Sequence, residues 1–224
     1  MKTFSNTYIF LFTIIMVLIV AAGLSVVSMT LSPFQAQNQK IETYRNILTS
    51  LGVQSTAKDA ETLYNQYIKS SVVLSPDGKL IDGKTDKDAA DEENVLFAAE
   101  KDGKKYYIVP LTGKGLWGKI WGYVALESDM NTISGVVFSH VGETPGLGSE
   151  ISTMEFQSHF AGKKFVNTQG NFVSVLLKKK GSYQSDDYTV DAVSGGTLTS
   201  NGVQDMLYNC LQSYQPYFST LKSN

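Results

Sequence analysis

The hydrophobic pattern of the chain begins with a long apolar run. Residues 8–31 are mostly Ile, Leu, Val, Phe, Met and Ala, and no charged residue occurs from Thr3 to Gln39. A helix that crosses a bilayer needs about 20 apolar residues. A cleaved signal peptide is the alternative, but the run continues well past the small residues at 21–23 and is long for a signal segment. We predict a transmembrane helix over residues 8–31, preceded by a short cytoplasmic end at residues 1–7.

The orientation of this helix follows from the charge at its start. Lys2 precedes the apolar run, and the segment before the run is too short to fold by itself. Basic residues favour the cytoplasmic side of a membrane. The chain is therefore expected to cross the membrane once and to place its large domain on the opposite side.

Residues 32–94 are expected to form a helical N-terminal part of the extracytoplasmic region. Apolar residues recur at helical spacing over 37–51 and again over 57–68. Two Asp-Gly pairs then indicate turns, and the polar, charged stretch 85–94 is typical of a surface loop.

From residue 95 the period changes from helical to strand-like. Alternation predicts strands, the first two forming a hairpin, at 95–100, 105–111, 120–126, 132–139, 172–177 and 188–190. Helices are predicted near Met154 and from Ser200, where an apolar stripe continues until Pro216 ends the helix. Because strands and helices are partly segregated, the fold class is α+β with a largely antiparallel sheet, and residues 95–224 form one domain.

Charge and composition exclude several function classes. The formal net charge is −2, from 19 basic and 21 acidic residues, so nothing indicates nucleic-acid binding. The one cysteine, Cys210, excludes an intramolecular disulfide and a cysteine-ligated cluster, and the two histidines lack metal-ligand spacing. Any redox chemistry must therefore come from an organic cofactor or from other subunits.

The loop Ser194-Gly195-Gly196-Thr197 is the first of three candidate binding loops. Its small residues leave backbone N–H groups open, and the helix that follows presents the positive end of its dipole. Both features favour a bound phosphate. The alternative is a Gly/Ser turn in which Thr199 or Ser200 caps the helix.

Two further glycine-rich loops are candidates for contact with a flat ligand. In residues 142–148, Pro145-Gly146 fixes a tight turn, Leu147 projects between two glycines, and Glu143 and Thr144 add polar groups. In residues 113–118, Trp117 is flanked by glycines and could lie against an aromatic ring system. Each loop has an alternative interpretation, as an ordinary turn or as core packing.

The three loops, in this order behind an N-terminal anchor, resemble the C subunit of the bacterial sodium-translocating NADH:quinone reductase. The most specific motif of that family is Asp, two variable residues, Ser or Thr, Gly, Ala and a flavinylated Thr. Asp191, Ser194, Gly195 and Thr197 match it, whereas Gly196 replaces the alanine. The resemblance covers nearly the whole chain.

The resemblance implies an electron carrier with FMN bound covalently, through its phosphate, to Thr197. A flavin transferase would recognise the motif, including Asp191, and Thr199 is the nearest substitute hydroxyl. The residues expected to contact the cofactor are Ser194, Gly195, Gly196, Leu198, Thr199, Glu143, Thr144, Gly146, Leu147, Gly148 and Trp117.

The resemblance also implies partners and a location. The chain would be one subunit, not catalytic alone, of an inner-membrane complex that oxidises NADH, reduces quinone and exports sodium, with its large domain in the periplasm. Alternatives are the G subunit of the ferredoxin-linked (Rnf-type) electron transport complex, an FMN-binding membrane protein of another chain, and a non-redox anchored binding module. The sequence has no NADH fingerprint, so NADH oxidation would belong to a partner.

Overall fold

The computed structural model describes residues 5–86, 88–90 and 93–223. Its first helix, α1, spans Asn6–Ser50, and every residue from 5 to 40 is exposed. Within the described ranges, α1 is the one helix long and apolar enough to cross a membrane. A helix that is apolar on all sides is typical of a membrane span, because lipid rather than water can surround it.

The chain divides into two compact units, residues 1–43 and residues 44–224. The second unit contains helix α2 (Ala60–Tyr67) and a six-stranded sheet in which every neighbouring pair is antiparallel. The strand order is β2-β1-β3-β4-β5-β6. The strands are β1 (Ile68–Leu74), β2 (Leu80–Ile81), β3 (Asn94–Lys101), β4 (Lys104–Lys114), β5 (Lys119–Leu126) and β6 (Ile133–His140).

Further elements follow β6. They are a short 3-10 helix (Gly148–Ser152), helix α3 (Met154–Ser158), the strand pair β7 (Leu176–Lys178) and β8 (Thr189–Asp191), and helix α4 (Thr197–Ser223). The β7–β8 pair is parallel and separate from the main sheet. The α+β class with a largely antiparallel sheet is therefore confirmed.

Both faces of the main sheet are covered, because successive strand residues point to opposite sides. Val109 and Val124 pack in the larger core with the buried side of α4, whereas Ile108 and Ala125 pack in a smaller cluster with Ile47 of α1. In the larger core, the rings of Phe138, Phe156 and Phe160 pack with centroids 5.1–6.2 Å apart. The main sheet thus carries the loop that follows β6, whereas the loop before α4 follows β8 of the separate strand pair.

The predicted ends of the last helix are wrong. Helix α4 begins at Thr197 rather than near Ser200, and it continues through Pro216 to Ser223. A proline inside a helix removes one hydrogen bond and costs about 3 kcal/mol. The apolar stripe nevertheless continues to Phe218, which is 2% exposed, so burial beyond the proline offsets that cost.

Two other predictions from sequence need correction. Of the predicted strand 172–177, only the end forms β7; Phe172 makes an isolated bridge, and Ser174 has a φ of 60°, which breaks the extended conformation. The region 32–94 is predicted to be helical, but β1 and β2 also lie in it and join the sheet of the later strands. The sheet therefore extends across the boundary suggested at residue 95.

Candidate functional site

The loop after β6 turns the side chain of Glu143 into the interior. The Glu143 N–H donates to Nδ1 of His140 at 3.2 Å, and Glu143 is only 4% exposed. The carbonyl of Thr144 accepts the N–H of Leu147 at 3.1 Å, which closes the turn at Pro145-Gly146. The glycine of this turn has a φ of 71°, a conformation that favours glycine.

The Glu143 carboxylate connects its own loop to the loop of Trp117 and to the first turn of α4, which directly follows the third candidate loop. Its Oε2 accepts a hydrogen bond from the Thr199 hydroxyl at 2.6 Å, and its Oε1 accepts one from the Trp117 backbone N–H at 2.9 Å. These contacts join residues that are 56 and 26 positions apart in the chain. The loops that the sequence indicates separately therefore meet at one buried group.

The protonation state of Glu143 is set by two opposing effects. Burial raises the pKa of its carboxyl, but hydrogen bonds from the Thr199 hydroxyl and the Trp117 N–H stabilise the charged form, and the net pKa lies below the ordinary value. Glu143 is therefore ionised at neutral pH. An ionised carboxylate can only accept hydrogen bonds, so the Thr199 hydroxyl is the donor in this pair.

Thr197 is the first residue of α4 and is exposed. The Gly196 carbonyl accepts the N–H of Ser200 at 2.8 Å, which is the first bond of the helix. No acceptor is found, within residues 5–86, 88–90 and 93–223, for the N–H groups of Thr197, Leu198 and Thr199. These three donors and the helix dipole create a positive potential beside the Thr197 hydroxyl.

The alternative in which Thr199 or Ser200 caps the helix is wrong. Thr199 lies within the first turn of α4 and donates to Glu143. The Ser200 hydroxyl oxygen accepts the backbone N–H of Val193 at 3.0 Å, so it holds the preceding loop against the helix. Both side chains are 1% exposed. Of these three hydroxyls at the start of α4, that of Thr197 is the accessible one.

A cavity of about 140 Å³ lies where the loops meet. Its walls are formed by Leu116, Glu143, Thr144, Leu147, Gly148, Gly195, Gly196, Thr197, Leu198 and Thr199. Ligand pockets usually measure about 300–1,000 Å³. The cavity is therefore large enough for only part of a nucleotide-sized cofactor, and the remainder would lie outside it.

Glycines allow the loops to approach this closely. A Cβ at Gly148 would lie 2.5 Å from both Glu143 Oε2 and Thr199 Oγ1, and a Cβ at Gly115 would collide with Glu143 Oε1. Gly195 has a φ of 74°, and a Cβ there would lie 2.6 Å from Leu147 Cδ2. A side chain at Gly115 or Gly148 would push the Glu143 carboxylate from its donors, and one at Gly195 would displace the end of the Leu147 side chain.

The remaining predicted site residues lie beside the cavity. Gly146, Ser194 and Asp191 line a neighbouring cavity of about 410 Å³, where Asp191 Oδ1 accepts a hydrogen bond from the Tyr183 hydroxyl at 3.1 Å. Trp117 contributes its backbone N–H to Glu143, but it does not line the first cavity, and the residue is 68% exposed.

Comparison with known proteins identifies the family. A family model described as the FMN-binding domain matches residues 115–212, which include all three loops from Gly115 onward. The C subunit of the Na⁺-translocating NADH-quinone reductase of Pasteurella multocida is 31% identical over an alignment of 236 positions, gaps included, which covers 92% of this chain and 89% of that protein. The chain belongs to this C-subunit family.

Solved structures of the C-subunit family have the same fold. The crystal structure of the C subunit from Parabacteroides distasonis is 41% identical, with a TM-score of 0.78, and the match covers 84% of this chain and 97% of that one. Shewanella oneidensis NqrC is 30% identical, with a TM-score of 0.69, over 82% of this chain and 97% of that one.

Sequence reasoning missed two features of this C-subunit site. Leu116 lines the cavity and is 47% exposed, although the sequence points only to its neighbour Trp117. The signal that could have indicated Leu116 is an apolar side chain between a glycine and a tryptophan in a loop. The link from Glu143 to Thr199 was also missed, and no local pattern could have shown it because the two residues are far apart in the chain.

Proposed function

We propose that the chain is the electron-transfer subunit that carries FMN on Thr197, through a phosphoester, in a membrane complex that oxidises NADH, reduces quinone and exports sodium. The observation that carries this proposal is the position of the Thr197 hydroxyl. It is exposed at the first residue of α4, beside a cavity built from three loops of a matched FMN-binding domain.

The donors around Thr197 fit the phosphate diester that attachment of FMN to this hydroxyl would create. The N–H groups of Thr197, Leu198 and Thr199, which have no acceptor among the described residues, would supply hydrogen bonds, and the helix dipole favours negative charge there. Gly195 and Gly196 line the same cavity, and Gly195 is exposed. These groups would hold the phosphate, while the ionised Glu143 stays engaged with the Thr199 hydroxyl and the Trp117 N–H.

The apolar side chains around the cavity fit a flat ring system. Leu116, Leu147 and Leu198 are 47%, 41% and 60% exposed, and all three line the cavity. Exposed apolar groups clustered at one place indicate a binding surface. FMN, when bound, supplies reversible electron transfer, and these residues would support its ring while leaving an edge open to partner subunits.

The membrane part of the proposal rests on α1. We propose that residues 8–31 cross the inner membrane, that residues 1–7 stay in the cytoplasm, and that the second unit lies in the periplasm. The predicted span contains no charged residue, so it offers no path for sodium. Sodium transport and NADH oxidation would belong to the partner subunits, and the relatives named above favour this complex over the ferredoxin-linked one.

The test is mass analysis of the full chain coexpressed with its native flavin transferase and purified in detergent. We expect one FMN adduct, located on Thr197 by peptide fragmentation and absent from Thr197→Ala. The matched control, Thr199→Val, should keep the adduct on Thr197. An unmodified Thr197 in the presence of an active transferase would overturn the proposal and favour a non-covalent site.

A further inference from the structure

The two threonines of the segment Thr197-Leu198-Thr199 have opposite environments. They carry the same hydroxyl and are separated by one residue, so the segment alone does not distinguish them. Thr197 is exposed, whereas Thr199 is 1% exposed and donates to Glu143 Oε2 at 2.6 Å. This short contact to a charged acceptor belongs to the strongest class of protein hydrogen bonds.

We propose that Glu143 is a specificity-determining residue for flavin attachment, because it engages the Thr199 hydroxyl and leaves only that of Thr197 to react. This inference rests on the function proposed above. It assigns Glu143 a role in maturation, through Thr199, and does not require Glu143 to touch the reacting atoms.

The chemistry of attachment explains why the hydrogen bond excludes Thr199. The attacking hydroxyl oxygen forms a bond to the phosphorus of the FMN phosphate in a flavin pyrophosphate donor. The anhydride bond of the donor breaks, its electron pair leaves with the second phosphate group, and the hydroxyl proton passes to a base of the transferase. At Thr199 the proton is already directed at Glu143. The Thr199 oxygen is held against Glu143 at 2.6 Å in a residue that is 1% exposed, so the phosphorus of the donor cannot approach it.

The packing around Thr199 keeps this pair closed. Gly148 lies so close to both oxygens that an added Cβ would be 2.5 Å from each, so no further group fits on that side. Thr199 nevertheless lines the same cavity as Thr197. A Thr199 hydroxyl released from Glu143 would therefore face the space in which the donor reacts.

The experiment measures how FMN is distributed between the two threonines. The full chain is coexpressed with its flavin transferase in four variants. Two are the single variants Thr197→Ala and Glu143→Gln. The other two are double variants, in which Thr197→Ala is combined with Glu143→Gln or with Glu143→Ala. Fragmentation of the modified peptide on either side of Leu198 separates the two sites. Glu150→Gln is the matched control, since it removes one carboxylate from the following 3-10 helix without touching Thr199.

We expect Thr197→Ala to carry no adduct and both double variants to carry FMN on Thr199. In Glu143→Gln alone, the ratio of Thr199 to Thr197 adduct should rise about 10- to 100-fold, which is the range expected for losing a hydrogen bond to a charged group. Glu150→Gln should leave the ratio unchanged. A merely structural role for Glu143 would lower the total adduct without moving this ratio.

Three results would overturn the inference. One is full labelling of Thr199 in Thr197→Ala with Glu143 intact. Another is the absence of FMN from both double variants while Glu143→Gln alone carries FMN on Thr197 as the wild type does. Normal labelling of Glu143→Gln would show that this variant folds and is a substrate of the transferase. The third is a loss of total label in Glu143→Gln with an unchanged ratio. A wild-type chain without FMN on Thr197 would instead refute the proposed function itself.

Discussion

Thr199→Val tests the hydrogen bond between Thr199 and the buried Glu143. The substitution replaces the hydroxyl by a methyl group of similar size and leaves the buried Glu143 carboxylate without its 2.6 Å donor. A hydrogen bond to a charged group contributes about 1.5–3 kcal/mol, so we expect a loss of about 2 kcal/mol at pH 7. For a folded unit of this size, the corresponding decrease in Tm is about 4–8 °C.

The matched control is Thr197→Val, which makes the same exchange two residues earlier in the same helix. Thr197 is exposed, so its substitution should change the free energy of unfolding by less than about 0.5 kcal/mol. The assay is urea unfolding of the full chain in a non-ionic detergent, followed by the fluorescence of Trp117 and Trp121. Differences in helix propensity cancel between the two variants.

The effect of Thr199→Val should depend on pH. The folded-state pKa of Glu143 lies below its ordinary value of 4.5, so its contribution to stability is present above pH 4.5 and is lost as the pH falls through the folded pKa. Thr199→Val lacks the hydroxyl whose hydrogen bond helps to lower the pKa of Glu143. The difference in stability between wild type and variant should therefore be largest at neutral pH and shrink below pH 4.5. Equal losses for both valine variants, or a loss independent of pH, would refute the reasoning.

Three further predictions concern packing, and two of them use a second substitution for comparison. Gly148→Ala should cost about 1–3 kcal/mol, since its methyl would lie 2.5 Å from the carboxylate and hydroxyl oxygens of the hydrogen bond above. A methyl group at Gly142 would meet nothing within 4 Å, so Gly142→Ala should leave the free energy of unfolding unchanged. Equal losses of stability in Gly142→Ala and Gly148→Ala would contradict the packing described. Phe160→Ala should lower the free energy of unfolding by about 3–5 kcal/mol in the urea assay, because Phe160 is 0% exposed; a loss below about 1 kcal/mol would exclude it from the core. Gly196→Ala restores the alanine of the family motif but places a methyl 3.0 Å from Val193 Cγ1 and 3.1 Å from Val193 Cβ. Val193→Ala removes the first of these atoms and should relieve part of the cost, with a coupling energy of at least about 0.5 kcal/mol; additive effects would show that the two side chains do not interact.

Elements with strong periodicity could be predicted from sequence, whereas their ends and their partners could not. The strands β3 to β6 and the apolar face of α4 follow from spacing alone. The end of α4 does not, because Pro216 is a strong local signal that the burial of Phe218 overrides. Strand β1 was missed since its Lys-Ser-Ser segment shows little alternation, and it is defined by pairing with β3.

The candidate site shows the same division. Small residues before a helix pointed to Thr197, and the glycines at 142–148 and 113–118 pointed to loops that contact a ligand. The role of Glu143 as the acceptor shared by these loops depends on contacts across the fold. No spacing rule covers a hydrogen bond between residues 56 positions apart, so the sequence could indicate the loops but not how they meet.

The contacts of Glu143 also bear on the order in which the molecule folds. Strands β3 to β6 are neighbours both in the chain and in the sheet, so their pairing closes only short loops. The hydrogen bonds of Glu143 close loops of 26 and 56 residues, and distant contacts form later because the entropy of loop closure opposes them. We therefore expect the hairpins to form before the cavity. The two threonines would become distinguishable only in a nearly native molecule. A modifying enzyme that selects one of them would therefore have to bind a late folding state rather than a nascent segment.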